Sequence, residues 1–295
     1  MQKLVGVGEI LWDMLPGGRQ LGGAPANFAY HAHALGMGGA VVSRVGADRL
    51  GREVFDRLDA LGVDWGCLQT DEEHPTGTVT VTLEPGGTPD YEIHEDVAWD
   101  FLEWNEQLAG LAHETTAVCF GTLASRGYRT RQTVVRFLEA CPRDCFKVFD
   151  INLRQSYFSV ELIRDYLRRA DAVKLNHEEL PTVFDLFGLT FGSESEALRT
   201  LVQKYGLKLV ALTRGGNGSV LCDGKTVSEH DGFEPESMMD TVGAGDSFTA
   251  AVTCGVLRGW DLDRINDAAN RLAAFVCSKS GATPTLPFEI CSLFA

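Results

Sequence analysis

The sequence predicts an α/β protein with a central, mostly parallel sheet flanked by helices, and three observations lead to this prediction. Short apolar runs recur at residues 117–120, 146–149, 172–175 and 208–212, and stretches of helical periodicity separate them. The 295 residues, 44% of them hydrophobic, are enough to bury a large core. Polar residues follow each apolar run, which is typical of a sheet whose carboxyl edge carries a binding site. Length alone allows one large domain or two average ones, and we predict a single domain over residues 1–295.

The composition argues against several classes of partner. The net charge is −15 at pH 7, and an acidic surface does not attract nucleic acid or an anionic membrane. Eight cysteines occur as scattered singles, which favours buried thiols in a reducing compartment over disulfides or zinc ligands. No apolar run reaches membrane-spanning length, and Glu9 and Asp13 interrupt the first one, which argues against a signal peptide. We therefore predict a cytoplasmic protein.

The first apolar run, residues 4–11, is short and bounded by glycines, so we predict a buried strand. Asp13 follows it, where open α/β sheets place ligand-binding residues, although an aspartate in a turn would give the same pattern. Gly6 and Gly8 begin a dinucleotide-binding pattern, but Leu11 stands where that pattern needs glycine. A nicotinamide-dependent enzyme is therefore disfavoured.

A glycine turn and a helix follow. Gly22 and Gly23 precede Pro25, which suits the first position of a helix. Asn27 then lies in the first helical turn, where its side-chain amide can cap the helix. The same amide can also donate and accept hydrogen bonds with a polyol.

Two strand candidates interrupt the alternation of strands and helices. Residues 76–83 alternate polar and apolar side chains with a period of two, which predicts a strand with one buried face. Residues 91–97 form another candidate after the turn Pro85-Gly86-Gly87. We assign both to a small antiparallel sheet, formed by segments 14–20 and 76–97, that acts as a lid. Such lids close over a substrate and exclude water.

The segment 239–248, M-D-T-V-G-A-G-D-S-F, predicts an anion site. Gly243, Ala244 and Gly245 have little or no side chain, so their backbone N–H groups can approach an anion closely. A helix follows at once, and its N-terminus attracts anions through free N–H groups and its dipole. Asp246 is then either an ordinary charge match to this dipole or a general base beside a phosphate.

The heptapeptide D-T-V-G-A-G-D at 240–246 resembles the C-terminal signature of the ribokinase-like (PfkB-type) carbohydrate kinases. Four further family motifs have matches in the expected order: G-G-x-x-x-N at 22–27, D-x-N-x-R at 150–154, N-x-x-E at 176–179 and T-x-G-x-x-G at 213–218. The resemblance covers nearly the whole chain. It implies a ribokinase-like three-layer sandwich with a small β-sheet lid, and an ATP-dependent sugar kinase.

The resemblance also implies a role for each matching residue. Asp246 would deprotonate the sugar hydroxyl, and the N–H groups of Gly243, Ala244, Gly245 and Asp246 would hold the developing charge. The implied sugar contacts are Asp13, Gly22, Gly23, Asn27, Asn152, Arg154 and Asp246. The implied ATP contacts are Asn176, Thr213, Gly215, Gly218, Gly245 and Asn270. Glu179 would act on Mg²⁺ through water, which suits an ion that keeps several waters. In potassium-activated members the cation site matches Asp240, Val242, Val276, Lys279, Gly281 and Thr285.

Several of these motifs have an ordinary structural explanation as well. Alternation along an extended segment would point Asn152 and Arg154 the same way, but taken alone Arg154 suits a surface ion pair. Asn176 and Glu179 are also what a helix cap with a first-turn glutamate would show. The stretch 213–218 reads equally as a hairpin turn.

Three segments bear on the substrate: G-E-I-L-W-D-x-L-P at 8–16, G-G-A-P-A-N-F-A at 22–29 and V-A-W-D at 97–100. They resemble fructokinases more than ribokinases or adenosine kinases, so we expect phosphorylation of D-fructose to D-fructose 6-phosphate. Ribose, 2-keto-3-deoxygluconate and nucleosides are the alternatives. A non-catalytic sugar-responsive binding protein is an alternative of another class, disfavoured because a retired site has no need for Asp246. Family members often dimerise through the lid, which implies a homodimer.

Overall fold

The computed structural model of the protein describes residues 1–15, 17–83 and 89–295. Pro16 and the turn Pro85-Gly86-Gly87 lie outside these residues. The strands are β1 (Lys3–Val7), β2 (Leu11–Leu15), β3 (Gly18–Gly22), β4 (Gly38–Gly46), β5 (Asp64–Asp71), β6 (Gly77–Leu83), β7 (Pro89–Ile93), β8 (Ala117–Gly121), β9 (Phe146–Asp150), β10 (Ala172–Asn176), β11 (Leu209–Thr213), β12 (Ser219–Cys222) and β13 (Val227–His230). The α-helices are α1 (Ala24–Ala34), α2 (Arg49–Ala60), α3 (Glu106–Glu114), α4 (Tyr128–Ala140), α5 (Val160–Arg169), α6 (Glu179–Leu186), α7 (Glu194–Tyr205), α8 (Ala244–Leu257), α9 (Leu262–Cys277) and α10 (Phe288–Leu293).

The main sheet has nine strands in the order β13-β12-β11-β10-β9-β8-β1-β4-β5. The strands from β11 to β5 run parallel, and the hairpin β12–β13 adds two antiparallel strands at one edge. The chain proceeds from β1 to β4 on one side and later returns to β8 on the other. The strand order therefore reverses at β1, and ligands of open α/β sheets bind beside such a point.

Helices cover both faces of this sheet. Along β8 the side chains alternate, so that Val118 and Phe120 face one layer while Ala117 and Cys119 face the other. Helices α3 to α7 pack on the first face, and α1, α8, α9 and α10 pack on the second. The predicted α/β fold, with a mostly parallel sheet between two helical layers, is confirmed.

The predicted strand over residues 4–11 is wrong in extent. β1 ends at Val7, the N–H of Gly8 still donates to the carbonyl of Val42 at 3.0 Å, and a new strand begins at Leu11. The apolar run continues across this break because Ile10 and Leu11 are buried in two different clusters beside the sheet. Asp13 consequently lies within β2 and not in a loop after β1.

The small sheet has the order β3-β2-β6-β7, and these strands are called the lid sheet below. β2–β3 and β6–β7 pair antiparallel, but β2 and β6 pair parallel, so the prediction of an antiparallel sheet is wrong for this central pair. The two strands are far apart in sequence and are joined through α1 and the β4–β5 edge of the main sheet. Such a long connection permits a parallel pair, whereas a tight turn does not.

Among the described residues, none of the helices combines the length and the apolar character that a membrane-spanning segment needs.

Candidate active site

The N-termini of α1 and α8 meet above the carboxyl ends of β1, β9 and β10. Asn27 in the first turn of α1 donates from Nδ2 to Oδ2 of Asp246, in the first turn of α8, at 2.8 Å. Thr249, one turn further along α8, donates to Oδ2 of Asp150 at the end of β9, at 2.9 Å. The structure therefore brings the G-G-x-x-x-N motif at 22–27 and the D-T-V-G-A-G-D motif at 240–246 together at the carboxyl ends of the central strands.

The turn before α8 has the geometry of an anion-binding site. Gly243 caps the helix with φ +78°, and a Cβ at this position would lie 2.5 Å from the Cβ of Ala282. Among the described residues, no acceptor is recorded for the backbone N–H groups of Gly245 and Asp246. Free N–H groups at a helix N-terminus bind anions, so this turn can hold a phosphate group.

Asp246 is partly buried at the mouth of this turn. Burial, reinforced by the carboxylate of Asp150, raises the pKa of Asp246 to about 6. The hydrogen bond from Asn27 and the charges of Lys174 and Arg154 oppose this rise. A carboxylate with such a pKa is still ionised at pH 7 and is a stronger base than an ordinary aspartate.

Lys174 is a site residue that the sequence analysis did not identify. It lies on β10 opposite Asp150 of β9, is only 7% exposed, and its Nζ is 3.1 Å from Oδ1 of Asp150. Burial opposes its charge, but Asp150, followed by Glu179 and Asp246, raises the pKa of Lys174. The only sequence signal was a lysine within an apolar run.

Glu9 is the second residue that the sequence analysis did not place in the site. Its side chain follows β1 and is 3% exposed, and Oε2 has no hydrogen-bond partner among the described residues. Burial raises the pKa of Glu9 to about 7, and the charge of Asp246 adds to this effect. Backbone N–H groups, including that of Ala24, oppose it.

Asp13 approaches the same site from the lid sheet. Burial raises the pKa of Asp13 to about 6, against the opposing charge of Arg154. A Cβ on Gly22 of β3 would lie 2.5 Å from Oδ2 of Asp13, so a larger residue at position 22 would displace this carboxylate. Gly23 follows as the N-cap of α1.

The D-x-N-x-R motif follows the end of β9 and is not a strand. Asn152 has a left-handed backbone with φ +44°, so the alternation that would point Asn152 and Arg154 the same way does not apply. Arg154 is exposed, and its charge lowers the pKa of Asp13 and of Asp246. It therefore lies in electrostatic reach of both acids.

The N-x-x-E motif connects the start of α6 to the loop after β9. Oδ1 of Asn176 accepts from the N–H groups of Glu178 and Glu179, both at 2.9 Å. Glu179 accepts from the N–H groups of Leu153 and Asn176, both at 2.8 Å. Burial raises the pKa of Glu179, and Lys174 opposes this rise. Both residues thus hold the backbone at the strand ends in place.

The T-x-G-x-x-G motif forms the turn between β11 and β12. Thr213 ends β11 and its carbonyl accepts from the N–H of His177 at 2.9 Å, which joins this turn to the N-x-x-E motif. Gly215 is exposed, whereas Gly218 is buried at the start of β12. Asn270 of α9 is buried behind this hairpin and donates to Oγ of Ser219 at 2.7 Å.

The positions that match the family's potassium site lie in the loop before α8, in the last turn of α9 and in the loop after α9. Asp240 accepts from the N–H of Val242 at 2.9 Å and from that of Gly281 at 3.3 Å, so it ties the two loops together. The carbonyl of Val276 accepts from the N–H of Lys279 at 3.0 Å, and Thr285 is exposed. In the described part of the chain, no three His, Cys, Asp or Glu side chains cluster as a metal site.

A sequence profile described as "pfkB family carbohydrate kinase" matches residues 17–289. The chain belongs to this family. A sugar kinase of Pyrococcus horikoshii is 30% identical over 272 residues, which covers 90% of this chain and 83% of that protein. A fructokinase of Escherichia coli is 30% identical over 302 residues and covers 95% of both chains. The resemblance on which the sequence analysis relied is therefore confirmed.

Solved structures confirm the ribokinase-like fold. The Pyrococcus horikoshii sugar kinase, solved in complex with ATP, superimposes with a TM-score of 0.83 over 100% of both chains at 26% identity. A nucleoside kinase of Burkholderia thailandensis in complex with inosine gives 0.80 at 20% identity, over 99% of this chain and 97% of that chain. This second likeness concerns the fold alone. The protein is thus a sugar kinase of the pfkB family.

Proposed function

We propose that this protein is an ATP-dependent kinase that transfers the γ-phosphoryl group to D-fructose and forms D-fructose 6-phosphate. The observation that carries the proposal is the contact between Asn27 and Asp246, which puts a potential base and a potential sugar ligand beside one anion-binding turn. The fructokinase names among relatives at about 30% identity support fructose. Ribose, 2-keto-3-deoxygluconate and nucleosides remain the alternative acceptors.

In the proposed mechanism Asp246 removes the proton from the attacking sugar hydroxyl. Asn27 occupies Oδ2 of Asp246, which leaves Oδ1 for the hydroxyl. The N–H groups of Gly243, Ala244, Gly245 and Asp246 stabilise the negative charge that develops near the helix N-terminus. Asp13, Gly22, Gly23, Asn152 and Arg154 are the further proposed sugar contacts, and the lid sheet excludes water when it closes.

ATP would supply the phosphoryl group, and bound Mg²⁺ would neutralise part of the phosphate charge. The proposed ATP contacts are Asn176, Thr213, Gly215, Gly218, Gly245 and Asn270. Among the described residues, five carboxyl groups interact electrostatically with Lys174 or Arg154, and this excess of acids fits a divalent cation: they are Glu9, Asp13, Asp150, Glu179 and Asp246. Glu179 would hold Mg²⁺ through water, because its oxygens already accept backbone N–H groups and retain lone pairs.

Three further features belong to the proposal. Potassium would bind between the loops that Asp240 joins, at Asp240, Val242, Val276, Lys279, Gly281 and Thr285. A homodimer would form through the lid sheet, in which β3 and β7 are the outer strands among the described residues. The proposed location is the cytoplasm, with no nucleic-acid or membrane partner, as the acidic net charge of −15 suggests.

A panel of acceptors assayed by coupled ADP release tests the function. We expect ATP- and Mg²⁺-dependent turnover with fructose, and kcat/KM for fructose above that for ribose, 2-keto-3-deoxygluconate, inosine and adenosine. Turnover with another acceptor but not with fructose would reassign the substrate. Sugar binding in calorimetry without any ADP release would instead favour the non-catalytic binding protein.

A further inference from the structure

Lys174 is a buried cation whose contacts extend beyond one ion pair. Its Nζ lies 3.1 Å from Asp150, and only 8% of its side chain is exposed. A buried ammonium is costly unless it is paired, and it has three N–H donors to place. Asp150 is the one hydrogen-bond acceptor recorded for it in the described part of the chain. The role of the other N–H donors of the Lys174 ammonium therefore depends on what else lies beside it.

The first turn of α8 lies directly against this ammonium. A Cβ on Gly245 would be 2.9 Å from Nζ of Lys174 and 3.7 Å from its Cε. The absence of a side chain at position 245 thus makes room for the lysine as well as for an anion.

Asp150 connects the lysine to α8 a second time. Its Oδ2 accepts from the hydroxyl of Thr249 at 2.9 Å, and the same hydroxyl lies 2.9 Å from the carbonyl of Gly245. The contacts among Lys174, Asp150 and Thr249 therefore link β10 and β9 to the turn that carries Asp246. This linkage fixes the base relative to the sheet.

We propose that Lys174 is a positioning residue of the kinase reaction: anchored by Asp150, its ammonium supports the first turn of α8 and supplies positive charge behind Asp246 and the anion-binding turn. The proposal deepens the proposed function and rests on it. Lys174 acts through Asp246 and the backbone, and no contact with substrate is required of it.

The charges around Asp246 allow this role to be separated from a purely structural one. The charged and titratable groups that act on it come from several elements: Glu9 after β1, Asp13 on β2, Cys119 on β8, Asp150 on β9, Arg154 after β9 and Lys174 on β10. Asp150 raises the pKa of Asp246, whereas Lys174 lowers it. Removing Lys174 should therefore raise the pKa of Asp246, and removing Asp150 should lower it.

The experiment compares Lys174→Met and Asp150→Asn in the full chain, with kcat/KM measured against pH. We expect the midpoint of the acidic limb of the kcat/KM profile to move to higher pH by about one unit in Lys174→Met and to lower pH in Asp150→Asn. We also expect kcat of Lys174→Met to fall at least ~10-fold, with little change in KM for the sugar. Lys208→Met is the matched control, since Lys208 forms an ion pair with Asp171 at 2.9 Å but is largely exposed.

The proposal would be overturned if the midpoints of the acidic limbs in the two variants equalled that of wild type, or if both moved in the same direction. If Lys174→Met does not fold, Lys174→Gln and Asp150→Asn decide by the same criterion. Absence of ATP-dependent turnover in the wild-type protein would contradict the proposed function instead. The role of Lys174 is then decided by ¹³C NMR titration of the Asp246 carboxyl, assigned with Asp246→Asn, in which an unshifted midpoint in the lysine variant contradicts it.

Discussion

The side-chain amide of Asn27 donates a 2.8 Å hydrogen bond to the carboxylate of Asp246, and this contact joins residues 219 positions apart. Both residues lie in the first turn of a helix, and both helices begin at the carboxyl edge of the main sheet. Asn27 is 3% exposed, so water cannot readily replace Asp246 as the acceptor of its N–H. The contact makes one site of two motifs from opposite ends of the chain.

Replacement of Asn27 by alanine tests this contact. The hydrogen bond lowers the pKa of Asp246, so its loss should move the acidic limb of kcat/KM to higher pH. A hydrogen bond to a charged group contributes about 1.5–3 kcal/mol, so we expect kcat/KM to fall roughly 10- to 100-fold. Asn105→Ala is the control, because the side chain of Asn105 also makes one hydrogen bond near a helix N-terminus, accepting from the N–H of Leu108 in α3, but lies outside the site. An unchanged limb in Asn27→Ala would contradict the assigned contact.

The wild-type pH profile should report the ionisation of the acids in the site, Asp246 and Asp13 among them, because burial raises the pKa of both to about 6. With its pKa raised to about 6, Asp246 is protonated below that pH and cannot accept the hydroxyl proton. We expect kcat/KM to increase as pH rises through about 6 and then to level off. Turnover that stays constant from pH 5 to 8 would argue against a titrating base at this position.

Removal of the base is the complementary measurement. Asp246→Asn keeps the shape of the side chain and an oxygen that can accept from Asn27, so the fold should persist. General-base catalysis contributes typically ~10²- to 10⁴-fold, and we expect a loss of turnover in that range. Circular dichroism and a melting curve provide the folding control. Near-normal turnover would remove Asp246 from the mechanism.

The anion-binding turn can be tested with two glycines that share a backbone conformation. Gly243 has φ +78° and Gly259 has φ +70°, and alanine in this region costs about 1 kcal/mol at either position. A Cβ at Gly259 meets nothing within 4 Å, whereas a Cβ at Gly243 would lie 2.5 Å from that of Ala282. Gly259→Ala should therefore melt slightly earlier and turn over normally. Gly243→Ala should lose at least ~10-fold in kcat, because its turn must move. Equal turnover in the two variants would show that the position of the turn is unimportant.

The parts of the candidate site that can be predicted from the sequence are those that depend on local pattern. Helix-start chemistry and motif spacing predict the glycines before α8, Asp246 and Asn27. Lys174 and Glu9 could not be predicted in the same way. The pairing of Lys174 with Asp150 depends on the register of two strands, and the burial of Glu9 depends on where α1 returns to the end of β1.

The prediction of strand boundaries and strand pairing was limited by a related cause. Hydrophobicity records burial but not the sheet in which a residue is buried, so the run 4–11 gave no sign that Val7 and Leu11 belong to different sheets. The parallel pairing of β2 with β6 is likewise a property of the connection between distant segments. Local patterns carry neither kind of information.

Glu9 should make the stability of the protein depend on pH. In the unfolded chain the carboxyl loses its proton near the ordinary pKa of 4.5, whereas in the folded protein burial raises the pKa to about 7. Between these values the folded state binds more protons, so the free energy of unfolding falls as pH rises, by up to about 3 kcal/mol. Above pH 7 the cost of burying the carboxylate is fully present.

Glu9→Gln removes this dependence and keeps the size of the side chain. Relative to wild type, the variant should gain stability between pH 5 and pH 8 in urea unfolding monitored by circular dichroism. The exposed Glu72→Gln is the control for the substitution itself. A difference between Glu9→Gln and wild type that is the same at pH 5 and pH 8 would mean that the buried carboxyl does not change its protonation on folding. The orphaned Oε2 would then be paired in solution by a group that keeps it ionised, because an unpartnered buried carboxylate could not hold its charge at pH 5.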